Sequence, residues 1–351
     1  MSSILVFIVG AALLIYSAEK LISYLVGAAA GLRVSAFLLA IIFTGIEFDD
    51  VAFGVALNLE DLSGVALGTV FGTAISMIGV VLALAAIISP GRVDVPRRYL
   101  VLFAAAPLVM IPFVVFGPLT PRYGVPLILL FVLFVGYVAS QELRKDTPLF
   151  RDARVLETQQ AGRGRTGGGG AGVDPPTSRP PFVVTMPFDR ARPIPGWAAI
   201  GLAVVALAGL IVGAAMTSAG TAGILADYRI QGALFGATLA TLVLTLEDVF
   251  LTVEPARRGA SEIGIANVIG SVVFGVTGKL GIILLAGGSI VVDDEVLSWH
   301  LPVLVGMTAL AAYFLHTRRL RRWHGFLLLA LYVAYWAGSF TMFGEAPLDA
   351  D

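Results

Sequence analysis

The sequence contains no cysteine and few charged residues, and each shortage excludes a class of protein. With no cysteine in 351 residues, the chain cannot form disulfides, thiolate metal sites or cysteine nucleophiles. Charged residues make up only 13% of the chain, about half of the share usual in soluble domains. The formal net charge of −1 provides no basic surface for a nucleic acid. No G-x-x-x-x-G-K-[ST] segment is present, so direct coupling to nucleotide hydrolysis is disfavoured.

Apolar residues dominate the rest of the sequence. They make up 58% of the chain, and the mean hydropathy is +0.91. Polar side chains cannot cover so much apolar surface, so lipid must cover it. A membrane-spanning helix needs about 20 mostly apolar residues, and long apolar runs without strict alternation favour helices over barrel strands. We predict an all-α polytopic membrane protein with ten transmembrane helices, at residues 3–30, 34–58, 63–89, 98–117, 123–142, 196–222, 231–253, 262–290, 299–316 and 323–343.

The basic residues predict the orientation of these helices. If loops alternate from an external N-terminus, the inside loops hold 19 of the 23 Lys and Arg residues and the outside loops hold two. Such a bias places both termini outside, because positively charged loops stay in the cytoplasm. The first span is too long for a signal peptide. We expect a multi-pass protein of a prokaryotic plasma membrane, with the lipid bilayer and cations as partners and no nucleic acid.

The middle of the chain has a different composition. Residues 143–195 contain a run of four glycines, two proline pairs and many charges. Such a segment cannot bury enough apolar area to offset its chain entropy. We interpret it as a flexible cytoplasmic linker between two five-helix halves, residues 1–142 and 196–351.

The two halves carry the same motifs at one spacing. Gly72 in the third span and Gly270 in the eighth lie 198 residues apart. The same offset places Asp49-Asp50 of the second span onto Glu247-Asp248 of the seventh. Because five is an odd number of helices, the second half must enter the membrane from the opposite side. The ten helices are therefore predicted to form two inverted repeats, which are typical of secondary transporters with sites near the bilayer midplane.

Acidic residues at this depth need an explanation. A charge inside the bilayer costs roughly 3 kcal/mol or more unless it is paired, hydrated or metal-bound. On an ideal helix Glu47 shares a face with Asp50, and its counterpart Thr245 shares a face with Asp248. Each half thus offers a carboxylate and a second oxygen, which are hard ligands that suit Ca²⁺, Na⁺ or Mg²⁺. Protons can compete for the site, because neighbouring carboxylates titrate together.

Four further residues are candidate ligands, each with an open alternative. Asp49 and Glu247 point about 100° away from that face of an ideal helix, and either join the site or lie near a membrane boundary, paired with lysine. Thr73 and Ser271, matched by the repeat, follow glycines of the third and eighth spans. They either offer oxygens to the ion or belong to the close packing that small residues allow.

These motifs resemble the paired α-repeats of the cation/Ca²⁺ exchanger superfamily, and the chain resembles a divergent prokaryotic sodium/calcium exchanger. The family motifs are G-T-S-L-P-E and G-N-x-x-G-S-N-x-x-N, and the match is best at 266–271, Ala-Asn-Val-Ile-Gly-Ser. The resemblance implies ten helices, an inverted repeat and a cytoplasmic linker. It also places the metal-binding acid of the family on Asp50 and Asp248, and the serine of the glycine motif on Thr73 and Ser271.

The sequence departs from the family pattern near the proposed ligands. Asp49 and Glu247 stand where the family has proline, and Met77 and Gly275 stand where it has a later Asn or Asp ligand. We hypothesise that Glu47, Asp49 or Glu247 compensates for the lost ligands.

A lysine lies close to these departures. Lys279 follows Gly275 by one turn in the eighth span. Its ammonium either pairs with the acids and replaces a bound cation, or snorkels or pairs with Glu19 of the first span. In the first case the protein would carry fewer ions than the family pattern implies. Lys20 is interpreted as a neighbouring structural charge.

Together these features indicate a secondary antiporter without a cofactor, which exchanges Ca²⁺ for Na⁺ or H⁺ by alternating access. Helices one and six are the expected gating elements. Two alternatives stay open. One is a transport fold with altered ion selectivity or a non-transporting cation sensor, and the other is an intramembrane Mg²⁺-dependent enzyme acting on lipid diphosphates. The sequence does not indicate an oligomeric state.

Overall fold

The protein is described by a computed structural model that covers residues 2–28, 46–115, 117–143, 196–228, 232–257, 261–292 and 294–343. The predicted linker, except for its first residue, and the first part of the second predicted span lie outside these residues. The described part is almost entirely helical.

The first half contains five described helices and one short strand. They are α1 (Ser2–Ala28), α2 (Phe48–Leu59), α3 (Ser63–Ile88), β1 (Gly91–Arg92), α4 (Arg97–Val115) and α5 (Gly124–Leu143). The second half contains six helices and one strand: α6 (Gly196–Tyr228), α7 (232–244), α8 (Leu246–Arg257), α9 (Ser261–Gly287), α10 (Val296–His316), β2 (Arg319–Leu320) and α11 (Arg322–Phe343).

The described helices fit a membrane environment. Seven of them are long and apolar enough to cross a bilayer: α3, α4, α5, α6, α9, α10 and α11. The most apolar stretches of α3 and α9 are 78% and 89% buried, whereas those of α5 and α11 are 28% and 22% buried. Helices α3 and α9 therefore form the centre of the molecule, and α5 and α11 present apolar side chains outward.

Near the acids, the described parts of the predicted second and seventh spans depart from a regular helix, which hydropathy did not indicate. Thr245 forms a turn between α7 and α8, so the seventh span is two short helices and not one continuous helix. Glu47 precedes the first residue of α2, and its ψ of 84° is not helical. The prediction that Glu47 and Asp50 share one helical face is therefore wrong. Thr245, placed on one face with Asp248, is a single turn residue with φ of −70° and ψ of −9° between the two helices.

Local structure recurs at the spacing of the sequence motifs. Helices α2 and α8 both have 12 residues, and they begin at Phe48 and Leu246, 198 residues apart. The regular first segments of α3 and α9 both have 14 residues. Each is followed by a wider π-helical turn, which begins at Met77 in α3 and at Gly275 in α9. The repeated acids thus lie on matching elements.

Helices α1 and α6 pack closely through small residues. A Cβ added at Gly10 would lie 2.6 Å from the backbone nitrogen of Thr217, and one added at Gly213 would lie 2.6 Å from that of Leu14. The contacts run in opposite chain directions, so the two helices are antiparallel. No larger residue fits at these glycines without movement of a backbone.

Two short backbone pairings join the halves. Strands β1 and β2 pair antiparallel, with Gly91 opposite Leu320. Leu119 and Ile290 exchange two backbone hydrogen bonds of 2.9 and 2.8 Å. Strand β1 and Ile290 lie in the loops that follow the central helices α3 and α9. Strand β2 and Leu119 lie in the loops that precede α11 and α5, the last helices of the two halves.

Candidate functional site

A buried lysine lies between the acids of the first half. Lys279 is 0% exposed. Its Nζ donates to Glu47 Oε2 at 2.9 Å, to Asp50 Oδ2 at 2.6 Å and to Thr73 Oγ1 at 2.6 Å. An ammonium has three N–H groups, so every one has an oxygen partner. The structure therefore shows the pairing of Lys279 with the acids of the site.

Three other charged residues of the sequence prediction are Glu19, Glu247 and Lys20. The side chain of Glu19 lies outside the described residues, as does that of Glu247. The Nζ of Lys20 lies 5.6 Å from the centre of the Tyr16 ring, which agrees with a structural role outside the site.

The backbone of α9 explains how the lysine reaches the acids. Lys279 ends the π-helical turn that begins at Gly275. A Cβ added at Gly275 would lie 3.7 Å from Lys279 Cε and 3.9 Å from its Nζ. The position at which the family supplies a ligand is thus a glycine packed against the end of the lysine. The matching position of α3, Met77, is buried and apolar.

The acids of each half lie at the start of a helix. Asp49 and Asp50 belong to the first turn of α2, and Asp248 is the third residue of α8. Backbone N–H groups and the helix dipole favour negative charge there. Asp49 is 8% exposed, so it lies inside the protein.

An asparagine orients the acid of the second half. The Nδ2 of Asn267 donates to Asp248 Oδ1 at 3.2 Å and to Thr252 Oγ1 at 3.3 Å. Asp248 is also close enough to Glu47 and Asp49 to interact with their charges. Asn267 belongs to the motif at 266–271, but its role in the site was not predicted from the sequence. Its position in that motif was the available signal.

Three buried oxygens near these acids lack protein partners. Glu47 Oε1, Asn267 Oδ1 and Ser271 Oγ have no hydrogen-bond partner among the described residues. Asn267 and Ser271 are both 1% exposed and lie one turn apart on α9. A buried polar atom without a partner costs roughly 1–3 kcal/mol. The three oxygens are therefore available as ligands for a cation beside Asp248.

The two threonines of the predicted site are tied to the backbone. Thr245 donates its hydroxyl proton to Thr241 O at 2.7 Å and accepts from Ser76 Oγ at 2.8 Å. Thr73 donates to Thr69 O at 2.9 Å and accepts from Lys279. Both hydroxyls thus hold the breaks and turns in place, and each oxygen keeps one lone pair.

The carboxylates alone do not form a metal cluster. Within the described ranges, no three Asp, Glu, His or Cys side chains come together in a way that could hold a metal ion. The arrangement is a mixed one, in which carboxylate, amide and hydroxyl oxygens surround a short stretch of α9. Such hard oxygen ligands suit Na⁺ or Ca²⁺ better than soft metals.

A family model described as "Sodium/calcium exchanger protein" matches residues 2–139 and 198–341. An uncharacterised membrane protein of Methanocaldococcus jannaschii is 24% identical over 335 residues, which is 93% of this chain and 94% of that protein. The inner membrane protein YrbG of Escherichia coli is 25% identical over 281 residues, covering 78% of this chain and 77% of its own length. The sodium/calcium exchanger MaX1 of Methanosarcina acetivorans is 30% identical over 109 residues, about 30% of each chain.

Solved structures of the sodium-calcium exchanger NCX_Mj share the fold. One of them, soaked with 10 mM Na⁺ and no Ca²⁺, has a TM-score of 0.61 and 20% identity, and the match covers 95% of this chain and 98% of that one. Another, soaked with 2.5 mM Na⁺ and 0.1 mM Ca²⁺, has the same TM-score and 21% identity, over 96% and 98% of the two chains.

Proposed function

The chain belongs to the sodium/calcium exchanger family, and from that premise we propose that it exchanges Ca²⁺ for Na⁺ or H⁺ across a plasma membrane. It is a multi-pass membrane protein and a secondary transporter, not an enzyme. The alternative of an enzyme that acts on lipid diphosphates is therefore wrong. The name of the E. coli relative, an inner membrane protein, supports the plasma membrane as the location.

One observation carries the proposed cation site: buried oxygens that have no partner among the described residues lie next to a half-buried acid. Asp248 is held by Asn267, and the free oxygens of Asn267 and Ser271 lie on the adjacent helical face. The free oxygen of Glu47 completes a set of hard ligands from both halves. The substrate cation would satisfy these atoms, and Asp49, Asp50, Thr73, Thr245 and Glu247 complete the proposed surroundings.

The proposed topology is ten transmembrane helices in two inverted repeats, with both termini outside. The recurrence of helix bounds at 198 residues and the antiparallel packing of α1 and α6 support it. The proposed division into halves at 1–142 and 196–351, with a cytoplasmic linker at 143–195, follows from the same repeat.

In the proposed mechanism, α1 and α6 slide past the other helices to open the site to one side at a time. A hydrogen bond of 2.8 Å from Ser218 of α6 to Glu60, the residue after α2, links this pair to the site. Binding of one cation offsets the repulsion among the acids and permits occlusion. Competing cations neutralise the same acids in turn, which couples the two fluxes.

Uptake of radioactive Ca²⁺ into proteoliposomes tests the proposal. Vesicles loaded with Na⁺, vesicles loaded with acid and vesicles without a gradient are compared in parallel. We expect uptake that requires one of the two gradients, and the effective gradient names the coupling ion. Cation-dependent stabilisation without uptake under either gradient would instead support the non-transporting sensor.

A further inference from the structure

We propose that Lys279 is a resident cation, which permanently occupies one cation position of the site and leaves a single exchangeable position beside Asp248. The binding part of this inference stands on the contacts of Lys279. Its consequence for transport rests on the proposed function.

The surroundings of the ammonium are those of a bound ion. Two carboxylate oxygens and one hydroxyl oxygen lie 2.6–2.9 Å from Nζ, and the side chain is fully buried. These are the ligand types that hold hard cations in proteins. An ammonium fixed there excludes a metal ion from the same oxygens, both by its volume and by its charge.

Glu47 belongs to the first half and Lys279 to the second, and the repeat duplicates neither charge. Glu47 is matched by Thr245 and Lys279 by Val81, which carry no charge. Each half therefore carries one charge that the other lacks, an acid in the first half and a base in the second. The charges of Glu47 and Lys279 cancel each other, which agrees with a tethered cation whose negative partner is also part of the protein.

The missing ligand of α9 fits the same account. Gly275 leaves the space that the end of Lys279 fills, with Nζ 3.9 Å from the position of an added Cβ. A larger polar residue there would compete with the ammonium for that space. The loss of the ligand and the gain of the lysine are thus two parts of one change.

The other side of the site keeps its free oxygens. Lys279 contacts Glu47 through Oε2 only, and Oε1 has no partner among the described residues. Together with Asp248, Asn267 and Ser271, it leaves one cation position. We therefore expect a Hill coefficient of about 1 for Na⁺, since that coefficient cannot exceed the number of sites.

Thermal unfolding of the purified protein tests this inference without any need for transport. Lys279→Ala removes the tethered cation and leaves its acids. We expect its melting temperature to rise by roughly 5 °C or more between about 1 and about 100 mM Na⁺, because a ligand that binds only the folded state stabilises it. Methylammonium should also stabilise this variant. The parent protein should respond less to Na⁺ and not at all to methylammonium.

Two further variants keep the test decisive. Val81→Ala truncates the matching residue of α3 and should respond to Na⁺ as the parent does. Glu47→Thr combined with Lys279→Val gives each half the neutral residue that the other half has at the matching position. The double variant removes the acid and the base of this ion pair together. It therefore provides a folded protein if Lys279→Ala fails to fold. We expect its Na⁺ Hill coefficient to rise above that of the parent.

Equal responses to Na⁺ in the parent and both Lys279 variants, with no effect of methylammonium, would overturn the inference. Failure of the proposed function has a different signature. In that case the parent shows no Ca²⁺ uptake under either gradient, while the melting temperatures of the variants still report on the tethered cation.

Discussion

At the scale of single residues, removal of the Ser271 hydroxyl distinguishes a cation ligand from a residue that only packs. It is buried and has no partner among the described residues, so its removal breaks no hydrogen bond within that part of the chain. We expect Ser271→Ala to weaken the apparent affinity for the transported cation about tenfold, as loss of one polar interaction of about 1.4 kcal/mol implies. Its melting temperature without cation should stay the same or rise.

A matched control for this variant is Ser339→Ala in α11. Ser339 is equally buried, but its hydroxyl donates to Tyr335 O at 2.8 Å and accepts from Trp299 Nε1 at 2.8 Å. We expect that control to lower stability by about 1 kcal/mol and to leave affinity unchanged. Loss of stability with unchanged affinity in Ser271→Ala would show that its hydroxyl serves packing.

The individual site residues differ in how far the sequence could predict them. The acids were found because a charge in an apolar segment is costly and because the repeat duplicates Asp50 as Asp248. Asn267 was missed because an uncharged amide gives no such signal. Lys279 could be placed on α9, but its partner depended on the exact path of the helix, which spacing on an ideal helix does not provide.

At the scale of helices, the close contact of α1 and α6 predicts a sensitive position. A Cβ at Gly213 would lie 2.6 Å from Leu14 N and 2.7 Å from its Cα, so the two backbones must separate. We expect Gly213→Ala to lower the free energy of unfolding by about 1–3 kcal/mol. If these helices slide, it should also reduce the transport rate more than the cation affinity.

Gly201 of the same helix provides the control for this prediction. A Cβ there meets no atom within 4 Å, so Gly201→Ala should preserve both stability and rate. Initial uptake rates and cation-dependent melting of the two variants give the comparison. A Gly213→Ala protein that transports at the parental rate would argue against movement at this contact.

Helix positions were predicted far better than helix interruptions. Hydropathy placed α4, α10 and α11 within a few residues, because the bilayer sets the length of an apolar run. It could not reveal the breaks at Glu47 and Thr245, since apolar residues continue on both sides of each break. The π-helical turns of α3 and α9 were hidden for the same reason. These irregularities lie at the candidate site, where a backbone departs from the regular pattern for function.

At the scale of the whole molecule, the inverted topology predicts that the two backbone pairings lie on opposite sides of the membrane. The chain has no cysteine, so a single introduced thiol reports its own side. We expect Val291→Cys, next to the Leu119–Ile290 pairing, to react with an impermeant maleimide in intact cells. Gly91→Cys, in β1, should react only after the membrane is permeabilised.

Both positions suit such labelling. Val291 is 68% exposed, and a side chain added at Gly91 meets no atom within 4 Å. Reaction of both thiols from the same side would contradict the proposed orientation. The charge distribution of the loops could predict this orientation from sequence, because basic residues are retained in the cytoplasm. Nine of the 19 inside Lys and Arg residues belong to the proposed linker and lie outside the described structure.

The most direct test of the proposed site is transport by Asp248→Asn. This change keeps the shape of the side chain and removes the charge beside Asn267. We expect gradient-driven Ca²⁺ uptake to fall at least about 100-fold, as loss of a charged ligand worth roughly 3 kcal/mol implies. Asp94→Asn, which removes an exposed acid 3.6 Å from Arg318, should transport like the parent. Parental uptake by Asp248→Asn, in protein shown to be folded, would contradict the account.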